Sequence, residues 1–246
     1  RAMSPQAVGA RQQAILACGS RYIGQEGFGD VQAMIRRAYH DAGLEVYEQQ
    51  VDTVAPRTLR REILGADGRP LDGVEIYPFM PNHFQPTTTA DEGVAGTLVR
   101  VTDEVLRTRT TFDDCIAVID AAEMPEGLGV DWRPYARLGF RAVILSHREG
   151  LDRIGWTRAS VEWMVSNVPV NYPRLAATKE IFDHLGRTVR LHVRSRYVNA
   201  PNINFIGILR AGAAGEGGAE EALVLSARYD AASWLPDRAP GTIPAR

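Results

Sequence analysis

Arg228, Tyr229 and Asp230 follow directly on an apolar run, Leu223-Val224-Leu225-Ser226-Ala227. A short continuous apolar run reads as a buried strand. Residues two apart on a strand share a face, so Arg228 and Asp230 point one way and Tyr229 the other. A guanidinium and a carboxylate so placed can close a two-pronged ion pair, or stand as a solvated pair at a strand end. Neither arrangement suits a cation, because a guanidinium is always charged and has no lone pair to donate. Tyr229, between the two, and Trp234, four residues on from Asp230, are the aromatic candidates for contact with a ligand or partner.

The other reactive side chains form no recognisable constellation. Cys18 and Cys115 are the only two cysteines, without CxxC or metal-ligand spacing. They read as two buried thiols, with a single disulfide between them left open. His184 and His192 flank a helix–strand junction, and His40, His83 and His147 are scattered; all five read as surface or satisfied core residues. Asp113-Asp114 and Glu220-Glu221 are adjacent carboxylates that a strand would turn to opposite faces, so they read as turn residues. Ser20 and Ser226 lack a nucleophile-elbow setting. The Gly24-x-x-Gly27-x-Gly29 spacing precedes a helix but follows no clear strand, which argues against a phosphate loop. Trp156 and Trp163 read as core residues.

The chain has 246 residues, 45% hydrophobic and 24% charged, enough for a sizeable core or two small ones. The net charge is −2, and Lys179 is the only lysine among arginines. No basic stripe marks a nucleic-acid surface, so no nucleic-acid partner is expected. No stretch reaches the run of about 18 apolar residues that spans a bilayer, and no signal peptide is visible. Arg1 in place of methionine, and Arg246 after a Pro/Gly-rich stretch, read as the limits of a piece of a longer protein.

Helical spacing covers residues 5–16, and a second helix covers 27–42 with the stripe Val31, Met34, Ile35, Ala38 and a C-terminal Gly43. A half-exposed strand follows over 44–51. Residues 62–64 and 74–77 flank the turn Ala66-Asp67-Gly68-Arg69, which predicts a β-hairpin. Residues 78–89 read as a loop. Strands are predicted over 97–101, 115–119, 142–145, 188–193, 204–209 and 222–227, with a short extended piece at 168–170. Helices are predicted over 132–138 and 175–185, and residues 212–218 read as a flexible turn. The result is an α/β framework at both ends enclosing a β-rich unit.

Three segments carry a resemblance to the M28-type zinc aminopeptidases with an inserted protease-associated (PA) domain. They are Gly19-Ser20-Arg21-Tyr22-Ile23-Gly24-Gln25-Glu26-Gly27 with the helix and Ala42-Gly43-Leu44-Glu45-Val46 behind it, then Leu138-Gly139-Phe140-Arg141-Ala142-Val143-Ile144-Leu145 after a short helix, then Asn202-Ile203-Asn204-Phe205-Ile206-Gly207 and the run into Asp230. The resemblance implies a partial three-layer α/β peptidase framework over residues 1–56 and 168–246, with a PA-like insert over 57–167. It also implies His-x-Asp at the strand end and a bridging Asp soon after. Here the histidine position is Arg228, and Pro240 to Arg246 carry no carboxylate. Asp230 matches the residue that orients the histidine. The resemblance thus implies a degenerate zinc site at Arg228 and Asp230, no catalytic residue and no cofactor in this fragment. The expected function is a non-catalytic binding or assembly module with a protein or peptide partner, in a larger extracytoplasmic, periplasmic or secreted, or membrane-anchored protein. The alternative is a zinc-dependent metallo-aminopeptidase whose ligands are completed by sequence outside these residues. A third, weaker reading is a PA-type interaction domain on an α/β support.

Overall fold

The computed structural model of the chain describes residues 4–79, 86–124, 131–154, 171–210, 223–230 and 235–238. It is a mixed α/β structure with one seven-stranded mixed sheet. Two compact units divide the chain: Arg1–Ala55 with Val198–Ala232, and Pro56–Tyr197 with Ser233–Arg246. Strands β1 (Glu45–Gly65) and β7 (Thr188–Ile208) each run from one unit into the other.

In the first unit, helix α1 (Pro5–Ala17) starts at Ser4, whose Oγ accepts the Ala7 N–H at 3.2 Å, with Pro5 where its missing N–H is harmless. Helix α2 (Glu26–Asp41) buries Gly27, Phe28 and Val31. The buried face thus lies toward its N-terminus. Of the predicted stripe, Val31 is buried, Met34 and Ile35 are half-buried, and Ala38 is exposed. Gly43 ends the helix at φ +71°, and the Leu44 N–H bonds back to Tyr39 O at 3.1 Å. Gly27 is fixed by space. A Cβ there would lie 2.1 Å from the Cys18 carbonyl oxygen and 2.7 Å from that of Ser20.

In the second unit the sheet has the order β1-β7-β3-β4-β5-β6-β2. Strands β3 (Val94–Arg100), β4 (Cys115–Asp120), β5 (Val143–Ser146) and β6 (Arg174–Ala177) are mutually parallel. Strand β7 joins β3 antiparallel, and β2 (Ile76–Pro78) joins β6 antiparallel. Helices α3 (Asp103–Thr108) and α4 (Trp132–Arg137) lie in the crossovers to β4 and β5. Both faces of the parallel strands are covered, which is why they read as continuous apolar runs. Cys115, Ala117 and Ile119 pack with Phe112, Tyr135 and Phe140, while Ile116 and Val118 pack with Leu98, Ile144 and Ile181. Arg174 is 1% exposed, its guanidinium over the Trp132 ring at 5.6 Å. Burial pulls it down to about 10, so it stays charged at neutral pH.

Several expectations are corrected. Residues 62–77 do not form a hairpin. The turn closes with a Leu64–Pro70 bridge and the Leu71 N–H on Ile63 O, but the chain then leaves, and Ile76–Pro78 pairs with β6 instead. Pro70 has no N–H to extend the ladder. Residues 175–185 are not one helix: Leu175, Ala176 and Ala177 belong to β6, and a 3-10 turn, Lys179–His184, follows. Residues 188–193 and 204–209 belong to one strand up to Ile208, despite Pro201. Helix α3 was not predicted. Residues 223–228 are neither strand nor buried; Leu223, Val224 and Leu225 are 82–88% exposed. The predicted extended piece at 168–170 and turn at 212–218 lie outside the described residues, as do His83, Trp156, Trp163, Glu220 and Glu221.

Cys18 and Cys115 are both free, Cys18 half-buried and Cys115 buried. Burial, helped by a hydrogen bond to Asp114, pushes the Cys115 thiol up to about 11. An alkylating reagent at pH 8 is therefore expected to modify Cys18 in the native protein and Cys115 only after denaturation, as peptide mass mapping will read.

Candidate functional site

The triplet Arg228-Tyr229-Asp230 lies on irregular backbone and is built entirely within the first unit. Arg228 donates from Nε to Asp230 Oδ1 at 3.0 Å and from Nη2 to Oδ2 at 2.8 Å. Both carboxylate oxygens are thus held by one guanidinium. The Arg228 side chain is 78% exposed and that of Asp230 only 21%. The pair sits with its carboxylate sheltered and its cation in solvent, where screening keeps its contribution to stability small.

Tyr229 turns the other way and anchors the triplet. Its ring stacks on Phe28 of α2 at 5.4 Å and meets Phe205 of β7 edge-on at 5.8 Å. Its hydroxyl accepts from Gln32 Nε2 at 3.0 Å and lies 2.7 Å from Asn202 Oδ1 and 2.6 Å from Ile203 O. One hydroxyl proton serves those two acceptors. The Tyr229 carbonyl accepts from Arg21 Nη1 at 3.2 Å, tying the triplet to the glycine-flanked loop before α2. Arg21 and Asn202 lie in segments that carry the resemblance, but neither they nor Gln32 was expected to hold Tyr229, because the three come from separate stretches of chain.

The Arg228 hydrogen bonds hold the Asp230 carboxyl below its ordinary range, against burial, which raises it; Arg228 and Arg21 charges add to the lowering. A depressed folded-state value means stabilisation that is present above the ordinary carboxylate range and fades as pH falls through the folded value. A carbon NMR titration of Asp230 should therefore show a midpoint below that of a free aspartate, moving upward in Arg228→Ala.

Trp234 and residues 240–246 lie outside the described residues. The other expected groups are dispersed. His184 bonds to Asp72 O at 3.1 Å. His192 is buried and shifted down, mainly by that burial. Asp113 and Asp114 are exposed, Asp114 paired with Arg109 at 2.9 Å. Among the described residues, no three His, Cys, Asp or Glu side chains gather as a metal site requires. Residues 228 and 230 do not fit a zinc ion: the guanidinium has no lone pair and carries a repelling charge, and Asp230, which it engages through both oxygens, would be a single carboxylate ligand. Among the described residues, no helix is long and apolar enough to cross a membrane.

No protein-family model and no curated protein matches the chain. Solved structures do. Two structures of a zinc aminopeptidase from Bacillus subtilis align with TM-scores of 0.52 and 0.53 at 15% and 14% identity, covering 82% of this chain and 46% and 47% of theirs. A peptidase M28 precursor from Shewanella amazonensis SB2B aligns at TM-score 0.46 and 14% identity, over 78% of this chain and 48% of its own. The chain thus spans about half the length of these structures. What is shared with the Bacillus subtilis structures is the fold.

Proposed function

We propose that this chain is a peptidase-M28-like module whose strand-end zinc site is replaced by the Arg228–Asp230 ion pair, and which acts in binding or assembly rather than in peptide hydrolysis. One observation carries the reading: the guanidinium occupies both oxygens of the carboxylate. In the family that this sequence resembles, a histidine would stand where Arg228 stands. A fold alone does not carry an activity. The reading extends to a PA-like insert over residues 57–167, no zinc as cofactor, and a protein or peptide partner, with Tyr229 and Trp234 as separate candidate contacts. It places the module in a larger extracytoplasmic or membrane-anchored protein.

The likeness to a zinc aminopeptidase from Bacillus subtilis favours a second reading, a zinc-dependent aminopeptidase completed by sequence beyond these residues. The two readings separate in one assay. The protein at its native length is purified and offered an aminoacyl p-nitroanilide with and without a chelator. Absence of chelator-sensitive cleavage supports the non-catalytic module. Chelator-sensitive turnover with copurified zinc overturns it in favour of the enzyme.

A further inference from the structure

The second unit contains a cleft of ≈ 400 Å³ lined by Thr88, Val94, Ala95, Arg141, Asn171 and Tyr172, among others. Its volume is within the range of small-ligand sites. The groups around it are set by the ends of three strands. Thr88 runs beside β7, donating Oγ1 to Ser195 O at 3.1 Å and accepting the Ser195 N–H at 3.2 Å. Asn171 precedes β6, and its Oδ1 accepts the Thr88 N–H at 3.4 Å, leaving its amide NH2 to donate elsewhere. Arg141 precedes β5. Its Nη1 donates to Ala95 O at 3.1 Å and its Nε to Asp113 O.

Two features single this cleft out. First, the Arg141 guanidinium is held in place by neutral carbonyls. Among the described residues it makes no ion pair, whereas Arg109 beside it is paired with Asp114. The nearby acid that feels the Arg141 charge is Asp114, already engaged by Arg109. A fixed cation without a contacting counter-ion, at the wall of a cleft, is a receptor for a carboxylate. Second, the start of β3 offers one backbone N–H on its β4 side, that of Ala95, whose C=O already accepts from Arg141. Thr97 donates to Asp114 O on the β4 side, while Leu98 bonds Arg187 and Gly186 on the β7 side. Ala95, two residues before Thr97, therefore turns its N–H and C=O toward the β4 side. The ladder with β4 begins only at Thr97. A carbonyl of an extended peptide can accept from such a donor.

We propose that this cleft binds a short extended peptide through a carboxylate, with Arg141 taking the carboxylate and the Ala95 N–H and Asn171 amide donating to the peptide carbonyls. This goes beyond the strand-end site and stands or falls separately from it: zinc uptake at Asp230 would leave the cleft untouched.

The test is calorimetric titration of the 246-residue chain with three probes. They are N-acetyl-trialanine, its C-terminal amide, and an N-acetyl-Ala-Asp-Ala amide with only a side-chain carboxylate. At least one carboxylate probe is expected to bind about 10-fold or more tighter than the neutral amide, and which one does so tells a chain terminus from an acidic side chain. Arg141→Ala, checked for folding by circular dichroism, should abolish that preference, and Arg141→Lys should keep part of it. Asn171→Ala should weaken all binding several-fold yet keep the preference. Equal binding of all three probes, no binding of any, or a preference that survives Arg141→Ala would overturn the proposal.

Discussion

Gly27→Ala is expected to destabilise the first unit by about 3 kcal/mol or more, near the upper end of what overpacking costs. The added methyl would lie 2.1 Å from Cys18 O and 2.9 Å from Cys18 C, both backbone atoms that no rotamer change can move. The N-terminus of α2 or the loop of residues 18–25 must shift. That loop carries Arg21, which holds the Tyr229 carbonyl. Thermal unfolding followed by circular dichroism should show a drop of about 6 °C or more. Gly29→Ala is the internal control: it lies in the same helix, nothing stands within 4 Å of its added methyl, and alanine favours a helix.

Tyr229→Ala is the second large effect, at about 3 kcal/mol. It removes the stack on Phe28 and the edge contact with Phe205, and leaves Gln32, Asn202 and Ile203 O without their shared hydroxyl. Tyr229→Phe keeps the ring and separates the two contributions; losing the hydroxyl alone should cost about 1–3 kcal/mol. Denaturant unfolding measures both variants. The functional consequence is specific, because Tyr229 holds the chain between Arg228 and Asp230. In Tyr229→Ala the Asp230 titration should drift back toward an ordinary aspartate, since the ion pair loses its fixed backbone.

The sequence was legible where one periodicity dominated. Helix α2 announced itself by its stripe and by Gly43, and strands β4 and β5 by unbroken apolar runs that both sheet faces require. The spacing of Arg228 and Asp230 left an ion pair and a solvated pair open; the structure has the ion pair, though on backbone that is not a strand. Legibility failed where the pairing partner is distant. Leu175, Ala176 and Ala177 with Ile181 mimic a helical face, yet β5 lies alongside and makes them a strand. Ile76 pairs with Ala177, about a hundred residues away, and no turn chemistry encodes that. The apolar run at 223–225 reads as a buried strand because composition records hydrophobicity and not whether a neighbour is there to cover it. Arg141 escaped notice because its significance lies in having no ion-pair partner among the described residues, which only the fold reveals.

The central proposal is that Asp230 holds a guanidinium where the resembled family would place a metal-binding histidine. Titrating zinc into the 246-residue chain while following the Asp230 side-chain carboxyl resonance tests it most directly. The ion pair predicts no zinc-dependent change in that resonance up to millimolar metal, and no stoichiometric zinc in the purified protein. A saturable one-to-one shift of the Asp230 signal, with loss of the Arg228 contact, would contradict it.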